Sequence, residues 1–243
     1  MNINITTTEE KRVPGKAERL AKGGIKAAIF DYDGTVVDSM PMWSQASSNY
    51  VRSLGREPGP NLDDQIKRLG LEEGAEVFRS EYGAVGTTEE IVEAVLNGVR
   101  NNYKNEIEPK EGIIEVLEDL KAAGIKMVVA TASARDMIEI CNAKHGLDKY
   151  FDAVFTCVEV GANKRKPDIY HAAAEFMGAK PEETLVFEDV RHAALTASEA
   201  GYPVVGIYDD VSFLDKDDIY AASSIYLEDY SQWPGIENIN KVK

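Results

Sequence analysis

Apolar residues in this chain fall into two kinds of segment: short continuous runs, and longer runs in which they recur every three or four positions. The short runs are IKAAIF (25–30), IKMVVAT (125–131), DAVFT (152–156), TLVFE (184–188) and YPVVGIY (202–208). They are rich in β-branched residues and show no polar alternation, which is typical of strands that are buried on both faces. The pattern therefore predicts five buried strands.

The spaced apolar positions between the later runs predict helices. In EGIIEVLEDLKAAG, Ile114, Leu117 and Leu120 recur at a helical interval, and Gly124 is a typical helix stop. The segments ARDMIEICNAKHG, PDIYHAAAEFMGA and VRHAALTASEAG have similar patterns. Strands that alternate with helices predict βαβ crossovers, and hence a doubly wound α/β fold with a mostly parallel sheet.

One long interval breaks this alternation. From residue 39 to residue 109 the chain has only helical patterns, the last of which begins with a capping box at Thr87 and Glu90. We therefore predict a helical subdomain of residues 39–109, inserted into an α/β core of residues 24–38 and 110–243. Residues 1–23 are polar and are predicted to form an N-terminal arm.

Charge and composition narrow the possible partners. The chain has 27 basic and 42 acidic residues, and its net charge of −15 disfavours binding to nucleic acid or to anionic membranes. Its apolar runs are too short to span a bilayer, and the N-terminus lacks the apolar region of a secretory signal. Cys141 and Cys157 have no CxxC spacing and are expected to be reduced thiols. These features predict a cytoplasmic protein, and we expect it to be a monomer.

Polar residues cluster where the predicted strands end, at the edge of a parallel sheet where ligands usually bind. Any one of them could instead cap a helix or belong to a solvated loop. Together they crowd four carboxylates at one edge, and a divalent cation such as Mg²⁺ would offset the repulsion. The residues are Asp31 and Asp33 after the first strand, Thr131 and Ser133 after the second, Glu188 and Asp189 after the fourth, and NKRKP (163–167) in a loop.

With these motifs in this order, the sequence resembles the haloacid dehalogenase superfamily from about residue 25 to the C-terminus. Its DxDGT motif is DYDGT (31–35), and its second, third and fourth motifs match Thr131, Lys166-Pro167 and Glu188-Asp189. The helical insert lies where the family has its α-helical cap, and the fold implied is Rossmann-like. The resemblance is closest to the phosphatases grouped with β-phosphoglucomutase and phosphoglycolate phosphatase.

The resemblance implies a role for each acidic residue of these motifs. Asp31 would be the nucleophile that forms an aspartyl-phosphate, and Asp33 would be the general acid and base. Asp31, Asp189 and the backbone carbonyl of Asp33 would bind Mg²⁺, with Glu188 acting through the water shell of the metal.

The phosphate-binding residues follow from the same resemblance. Lys166 and Thr131 would hold the phosphoryl oxygens, and backbone N–H groups near Asp33, Gly34 and Ala132 would add donors. Lys166 is preferred because it precedes Pro167, and Lys164 is the alternative. The chain departs from the family pattern in two places. Val190 and Ala194 stand where the fourth motif commonly has Ser and Gly, and Asp168-Ile169 follows Pro167 where a second Pro is common.

An acid at position 33 favours phosphate-ester chemistry, so the sequence predicts a phosphatase that acts on a small phosphomonoester of the sugar or polyol phosphate class. Trp43 stands about where related mutases have a His, which favours hydrolysis over phosphoryl transfer within a sugar. A phosphomutase of the β-phosphoglucomutase type and a non-catalytic phospho-binding module are the alternatives. Substrate contacts in the cap are predicted at Trp43, Arg52, Lys67 and Arg68.

Overall fold

A computed structural model describes residues 24–241 of the chain, so the predicted arm of residues 1–23 lies outside the described residues. The centre of the fold is a six-stranded sheet in which all neighbouring strands are parallel, in the order β3-β2-β1-β4-β5-β6. The strands are β1 (Ala27–Phe30), β2 (Lys126–Thr131), β3 (Ala153–Thr156), β4 (Thr184–Glu188), β5 (Val204–Ile207) and β6 (Ile225–Leu227). The predicted α/β fold with a parallel sheet is therefore confirmed.

Five of these strands lie within the predicted runs, and β6 was not predicted. It has only three residues and pairs with β5 at one edge of the sheet. A run this short carries too little hydrophobic pattern to distinguish a strand from a loop.

Helices connect the strands and fill the long insert. In chain order they are α1 (Met40–Trp43), α2 (Ala46–Ser53), α3 (Leu62–Leu69), α4 (Leu71–Tyr82), α5 (Thr88–Asn105), α6 (Ile113–Ala122), α7 (Arg135–His145), α8 (Cys157–Val160), α9 (Asp168–Met177), α10 (Arg191–Glu199), α11 (Lys216–Ala222) and α12 (Ile236–Lys241). The predicted capping box is present at the start of α5, where Thr87 and Glu90 bond each other's backbone N–H groups. Among the described residues, no helix is long and apolar enough to cross a membrane.

Both faces of the sheet are covered by helices. Alternate residues of β1 point to opposite faces, so Phe30 packs in one apolar cluster with α6 and α7, and Ile29 packs in another with α9 and α10. We call the first of these the sheet cluster. Burial on both faces explains why the strands are continuously apolar, since neither face meets water.

The helices of residues 39–109, here called the insert, have an apolar cluster of their own. Tyr50, Val51, Leu62, Ile66 and Phe78 belong to this insert cluster. The chain leaves and re-enters the sheet region along two adjacent segments. Val37 pairs with Pro109, Asp38 N–H donates to Glu108 O at 2.9 Å, and Lys110 N–H donates to Val36 O at 2.9 Å.

Helix α5 belongs to both parts of the molecule. Ile91 and Val95 lie in the insert cluster, whereas Val99 and Tyr103 lie in the sheet cluster. One continuous helix therefore connects the interior of the insert to the ends of the central strands.

Candidate active site

The central strand of the sheet carries Asp31 to its C-terminal edge. Strand β1 lies between β2 and β4, and Asp31 follows it directly, with its N–H donating to Phe187 O at 2.9 Å. Thr131 is the last residue of β2 and Glu188 is the last residue of β4. On one side of the sheet the chain order runs outward from β1 to β3, and on the other side it runs outward from β4 to β6. The strand order therefore reverses between β1 and β4. Such a switch point is where open α/β sheets usually bind ligands.

Three carboxylates meet at this edge. One oxygen from each of Asp31, Glu188 and Asp189 lies within 4.8 Å of the others, and all three side chains are buried. Burial raises the pKa of Asp189 well above its usual range, and the charges of Asp31 and Glu188 raise it further. Burial likewise raises the pKa of Asp31, and it raises that of Glu188 to about 7 although Lys164 acts against it. The positive charge of the described residues therefore does not fully offset the negative charge of the three carboxylates.

The carboxylate cluster also has unused acceptor atoms. Asp189 Oδ1 accepts a hydrogen bond from Thr35 at 2.8 Å, but Asp189 Oδ2 and Glu188 Oε2 are buried and no described residue bonds them. Buried polar atoms without partners are rare, because each costs the free energy of its lost hydration. Hard carboxylate oxygens crowded in this way are the ligands that Mg²⁺ prefers, so the residues present fit the predicted cation.

The lysine that lies beside the carboxylate cluster is Lys164, the alternative named above, and not the preferred Lys166. Lys164 Nζ lies 2.6 Å from Asp31 Oδ1 and 2.6 Å from Glu188 Oε1, and the residue is only 5% exposed. Burial alone would lower the pKa of Lys164, but the charges of Asp31 and Glu188 outweigh it and raise the pKa. Lys166, by contrast, is exposed to solvent.

A turn explains why the inward lysine is not the one before proline. Asn163 O accepts the N–H of Lys166 at 3.1 Å, and Asn163 Oδ1 accepts the N–H of Arg165 at 3.0 Å. These bonds reverse the chain directly after Lys164, so Lys164 faces the sheet and Lys166 lies on the outer side next to Pro167. An Asn side chain that bonds the backbone two residues later is a common way to start such a turn.

The Asp33 side chain does not join the carboxylate cluster. Its Oδ1 accepts hydrogen bonds from Ser39 Oγ at 2.6 Å and from the Tyr103 hydroxyl, and its Oδ2 accepts from Ser133 Oγ at 2.5 Å. Asp33 is half-buried, whereas Asp31 is buried. The two aspartates of DYDGT are thus separated into different environments, which suits two different chemical roles. Binding of a cation by the backbone carbonyl of Asp33 stays a prediction.

Gly34 sets the spacing between the loop after β1 and Asp189. Its N–H donates to Val37 O at 3.0 Å, and contact of this N–H with phosphate stays a prediction. Its φ is +78°, and a Cβ there would overlap the Asp189 carboxylate. Glycine therefore allows the loop after β1 to lie against Asp189.

The second predicted phosphate contact lies at the end of β2. Thr131 is fully buried, and its Oγ1 accepts the N–H of Ser133 at 3.0 Å, a bond that does not use the hydroxyl proton of Thr131. Ala132 is exposed beside it. Contact of these two residues with phosphate stays a prediction.

The predicted substrate residues of the insert lie in two environments. Trp43 is half-buried against the sheet cluster, and its Nε1 donates to the Tyr103 hydroxyl at 3.0 Å. Arg52, Lys67 and Arg68 are exposed, and Arg52 bonds Asn49 Oδ1 at 2.8 Å. Only Trp43 is thus connected to the site through described hydrogen bonds, and substrate contact by any of the four stays a prediction.

The sequence did not reveal several polar side chains of the site. Ser39 and Tyr103 bond Asp33 alongside Ser133, which the sequence already placed at this edge, and the Tyr170 hydroxyl donates to Glu188 Oε1 at 2.8 Å. Tyr103 and Tyr170 occupy apolar positions of their helices, so their patterns indicated only core packing. Their hydroxyl partners lie 70 and 18 residues away in the chain, where no local signal could reveal them.

Comparison with known proteins agrees with this architecture. The crystal structure of a CbbY variant from Rhodobacter sphaeroides in complex with xylulose-(1,5)-bisphosphate superposes with a TM-score of 0.73 and 22% identity, covering 89% of this chain and 99% of that chain. At that identity, the similarity establishes the fold.

Two curated relatives are phosphatases. A phosphorylated carbohydrates phosphatase from Thermotoga maritima is 27% identical over 178 residues, which cover 73% of this chain and 82% of the relative. A phosphoglycolate phosphatase from Agrobacterium fabrum is 30% identical over 200 residues, which cover 77% of this chain and 84% of the relative. Residues 28–207 match the family of haloacid dehalogenase-like hydrolases. These matches confirm the predicted enzyme class, a phosphoric monoester hydrolase, and the chain belongs to the haloacid dehalogenase-like hydrolases.

Proposed function

We propose that this protein is a Mg²⁺-dependent phosphatase that hydrolyses a small phosphomonoester, of the sugar or polyol phosphate class, through an aspartyl-phosphate on Asp31. The observation that carries this proposal is the arrangement of Asp31, a buried carboxylate at the central strand, with Lys164 at 2.6 Å and Asp189 beside it. A carboxylate can attack an anionic phosphoryl group only where positive charge offsets the repulsion. Lys164 supplies part of that charge.

The remaining charge would come from the cation. Asp31, Asp189 and the Asp33 carbonyl would hold Mg²⁺, and Glu188 would act through the water shell of the metal. The cation would shield the repulsion between the nucleophile and the phosphate. The orphaned oxygen of Asp189 supports this assignment. Asp189 Oδ1 is meanwhile held by Thr35, which fixes the orientation of the carboxylate.

The residues of the chain would then act in two steps. In the first, an Asp31 oxygen attacks phosphorus, the bond to the ester oxygen breaks, and the Asp33 carboxyl gives its proton to the departing alkoxide. In the second, water attacks the phosphorus of the aspartyl-phosphate and gives a proton to Asp33, which releases phosphate and restores Asp31. Lys164 and the Thr131 hydroxyl would hold the phosphoryl oxygens in both steps.

The insert would determine which ester is accepted. We infer that residues 39–109 form a cap over the site, since the insert begins directly after the DYDGT loop and has its own apolar cluster. The names of the two relatives, which specify a phosphorylated carbohydrate and phosphoglycolate, support small anionic substrates. The net charge of −15 makes larger polyanions less suitable.

Phosphate release from a panel of sugar, polyol and glycolate phosphates, with Mg²⁺ or with a chelator, tests the proposal. Wild type should release phosphate only with Mg²⁺, Asp31→Asn should abolish release, and the exposed Asp38→Asn should retain it. Acid-quenched wild type should carry a hydroxylamine-labile phosphate on Asp31. Conversion of β-glucose 1-phosphate to the 6-phosphate without net release would instead identify a mutase, and no turnover by folded, Mg²⁺-supplied protein would contradict both.

A further inference from the structure

Asp33 is held by three hydroxyl groups that come from distant parts of the chain. Ser39 lies at the start of the insert, Ser133 follows β2, and Tyr103 lies near the end of α5. A carboxylate oxygen has two lone pairs in its plane. Among the described residues, Ser39 and Tyr103 both bond Oδ1, whereas Ser133 alone bonds Oδ2. Oδ2 therefore has a lone pair left for a proton, and Oδ1 is the anchored oxygen.

The Tyr103 hydroxyl is itself fixed as a donor. Its oxygen accepts the indole N–H of Trp43 at 3.0 Å, so its own proton points to Asp33. Tyr103 is fully buried, and burial together with the Asp33 charge raises the pKa of its phenol, which keeps it protonated. A rigid aromatic ring packed in the sheet cluster holds this donor more firmly than a flexible side chain would.

We propose that Tyr103 is a positioning residue that fixes the Asp33 carboxyl, through Oδ1, for proton transfer at Oδ2. This inference rests on the proposed function, in which the Oδ2 proton moves to the ester oxygen as the bond from that oxygen to phosphorus breaks. In the return step a proton of the attacking water moves to the same atom. Tyr103 does not touch the reacting atoms in this scheme, and it acts only on the orientation of Asp33.

A series of esters with different leaving groups separates this role from a structural one. An alkoxide is strongly basic and needs a proton as it departs, whereas p-nitrophenolate departs without one. The value of kcat/KM reports transition-state stabilisation relative to free enzyme and substrate. The test therefore measures kcat/KM of wild type and variants for p-nitrophenyl phosphate and for the best alkyl phosphate of the panel, with Mg²⁺ present.

Tyr103→Phe removes only the hydroxyl, and Tyr50→Phe is the matched control in the insert cluster, where the ring packs on Phe78. In Tyr103→Phe, kcat/KM for the alkyl ester should fall by about 10- to 100-fold and that for the aryl ester by less than about 3-fold, mainly through kcat. Trp43→Phe should shift the ratio in the same direction by a smaller factor. Tyr50→Phe should leave the ratio unchanged.

Equal losses for the two esters, or no loss for either, would overturn the role of Tyr103 while leaving the phosphatase proposal intact. If Tyr103→Phe fails to fold, as judged by circular dichroism, Trp43→Phe decides, and an unchanged ratio in that variant overturns the inference. If wild type cleaves neither ester, the proposed function fails and the role of Tyr103 fails with it.

Discussion

The ammonium nitrogen of Lys164 lies 2.6 Å from Oδ1 of Asp31, and both side chains are buried. Lys166, two residues later, is exposed. This difference allows the two lysines to be tested against each other. Lys164→Met should lower kcat by about 100-fold or more, as loss of one charge-stabilising donor does in other active sites. Lys166→Met should remain near wild type in the same steady-state assay, and a reversed order would contradict the assignment.

Stability of the metal-free protein should depend on pH through the buried carboxylates. The pKa of Glu188 is raised from 4.5 to about 7, mainly by burial, so its contribution to stability is complete below about pH 4.5 and is lost as pH rises through about 7. Bound Mg²⁺ would offset that loss. We expect Mg²⁺ to raise Tm more at pH 8 than at pH 5, in melts with a chelator as the reference.

A monovalent salt at equal ionic strength is the control for this experiment. It should not reproduce the shift, because general screening acts weakly on buried charges. Equal Mg²⁺ shifts of Tm at both pH values would argue against the carboxylate cluster as the cation site.

Gly34 offers a test of the close approach between the DYDGT loop and Asp189. Alanine at Gly34 has two defects: the strain of a φ of +78°, and overlap of its Cβ with the Asp189 carboxylate. Gly124 has a φ of +73° and nothing within 4 Å of its added Cβ, so Gly124→Ala has only the strain. The strain alone costs about 1–2 kcal/mol.

We therefore expect urea unfolding to show a larger loss of stability for Gly34→Ala than for Gly124→Ala. Only Gly34→Ala should weaken Mg²⁺ binding, measured by titration calorimetry, because only it displaces Asp189. Similar Mg²⁺ affinity in the two variants would mean that Asp189 does not bind the cation.

A partly buried ion pair lies where the second connection of the insert meets the sheet region. Lys110 Nζ lies 2.9 Å from Asp209 Oδ2 and donates to Tyr208 O at 3.1 Å. Lys110→Met leaves the Asp209 carboxylate without this partner and should cost about 1–3 kcal/mol in urea unfolding. Asp209→Asn in the Lys110→Met background should recover part of that loss, and strictly additive losses would contradict the coupling.

The sequence predicted those parts of the structure that depend on local pattern. Continuous apolar runs identified β1 to β5 because these strands are buried on both faces, and helix spacing indicated that residues 39–109 are helical. The sequence indicated that Asp31, Glu188 and Asp189 would lie together because Glu188 ends a central strand and the two aspartates directly follow one, so the topology alone brings them together.

The sequence was less informative about contacts that depend on tertiary geometry. Whether Lys164 or Lys166 faces the site depends on the two bonds that Asn163 makes in its turn, and both lysines share one short basic loop. The hydroxyls around Asp33 come from residues up to 100 positions away from it in the chain. In sequence, Tyr103 is only the next apolar position after Val95 and Val99, so nothing distinguishes its hydroxyl from an ordinary core tyrosine.

Helix α5 packs in both the insert cluster and the sheet cluster, and this has a consequence for how the sequence of such a protein can change during evolution. The helix has 18 residues and is about 27 Å long, with Ile91 in the insert cluster and Tyr103 in the sheet cluster. We expect mutations that reshape the loops at the distant end of the insert, around Gly83 and Gly86, to leave the position of Tyr103 relative to Asp33 unaltered. Under the proposed mechanism, substrate range could therefore change during evolution while Asp33 and Tyr103 keep their arrangement.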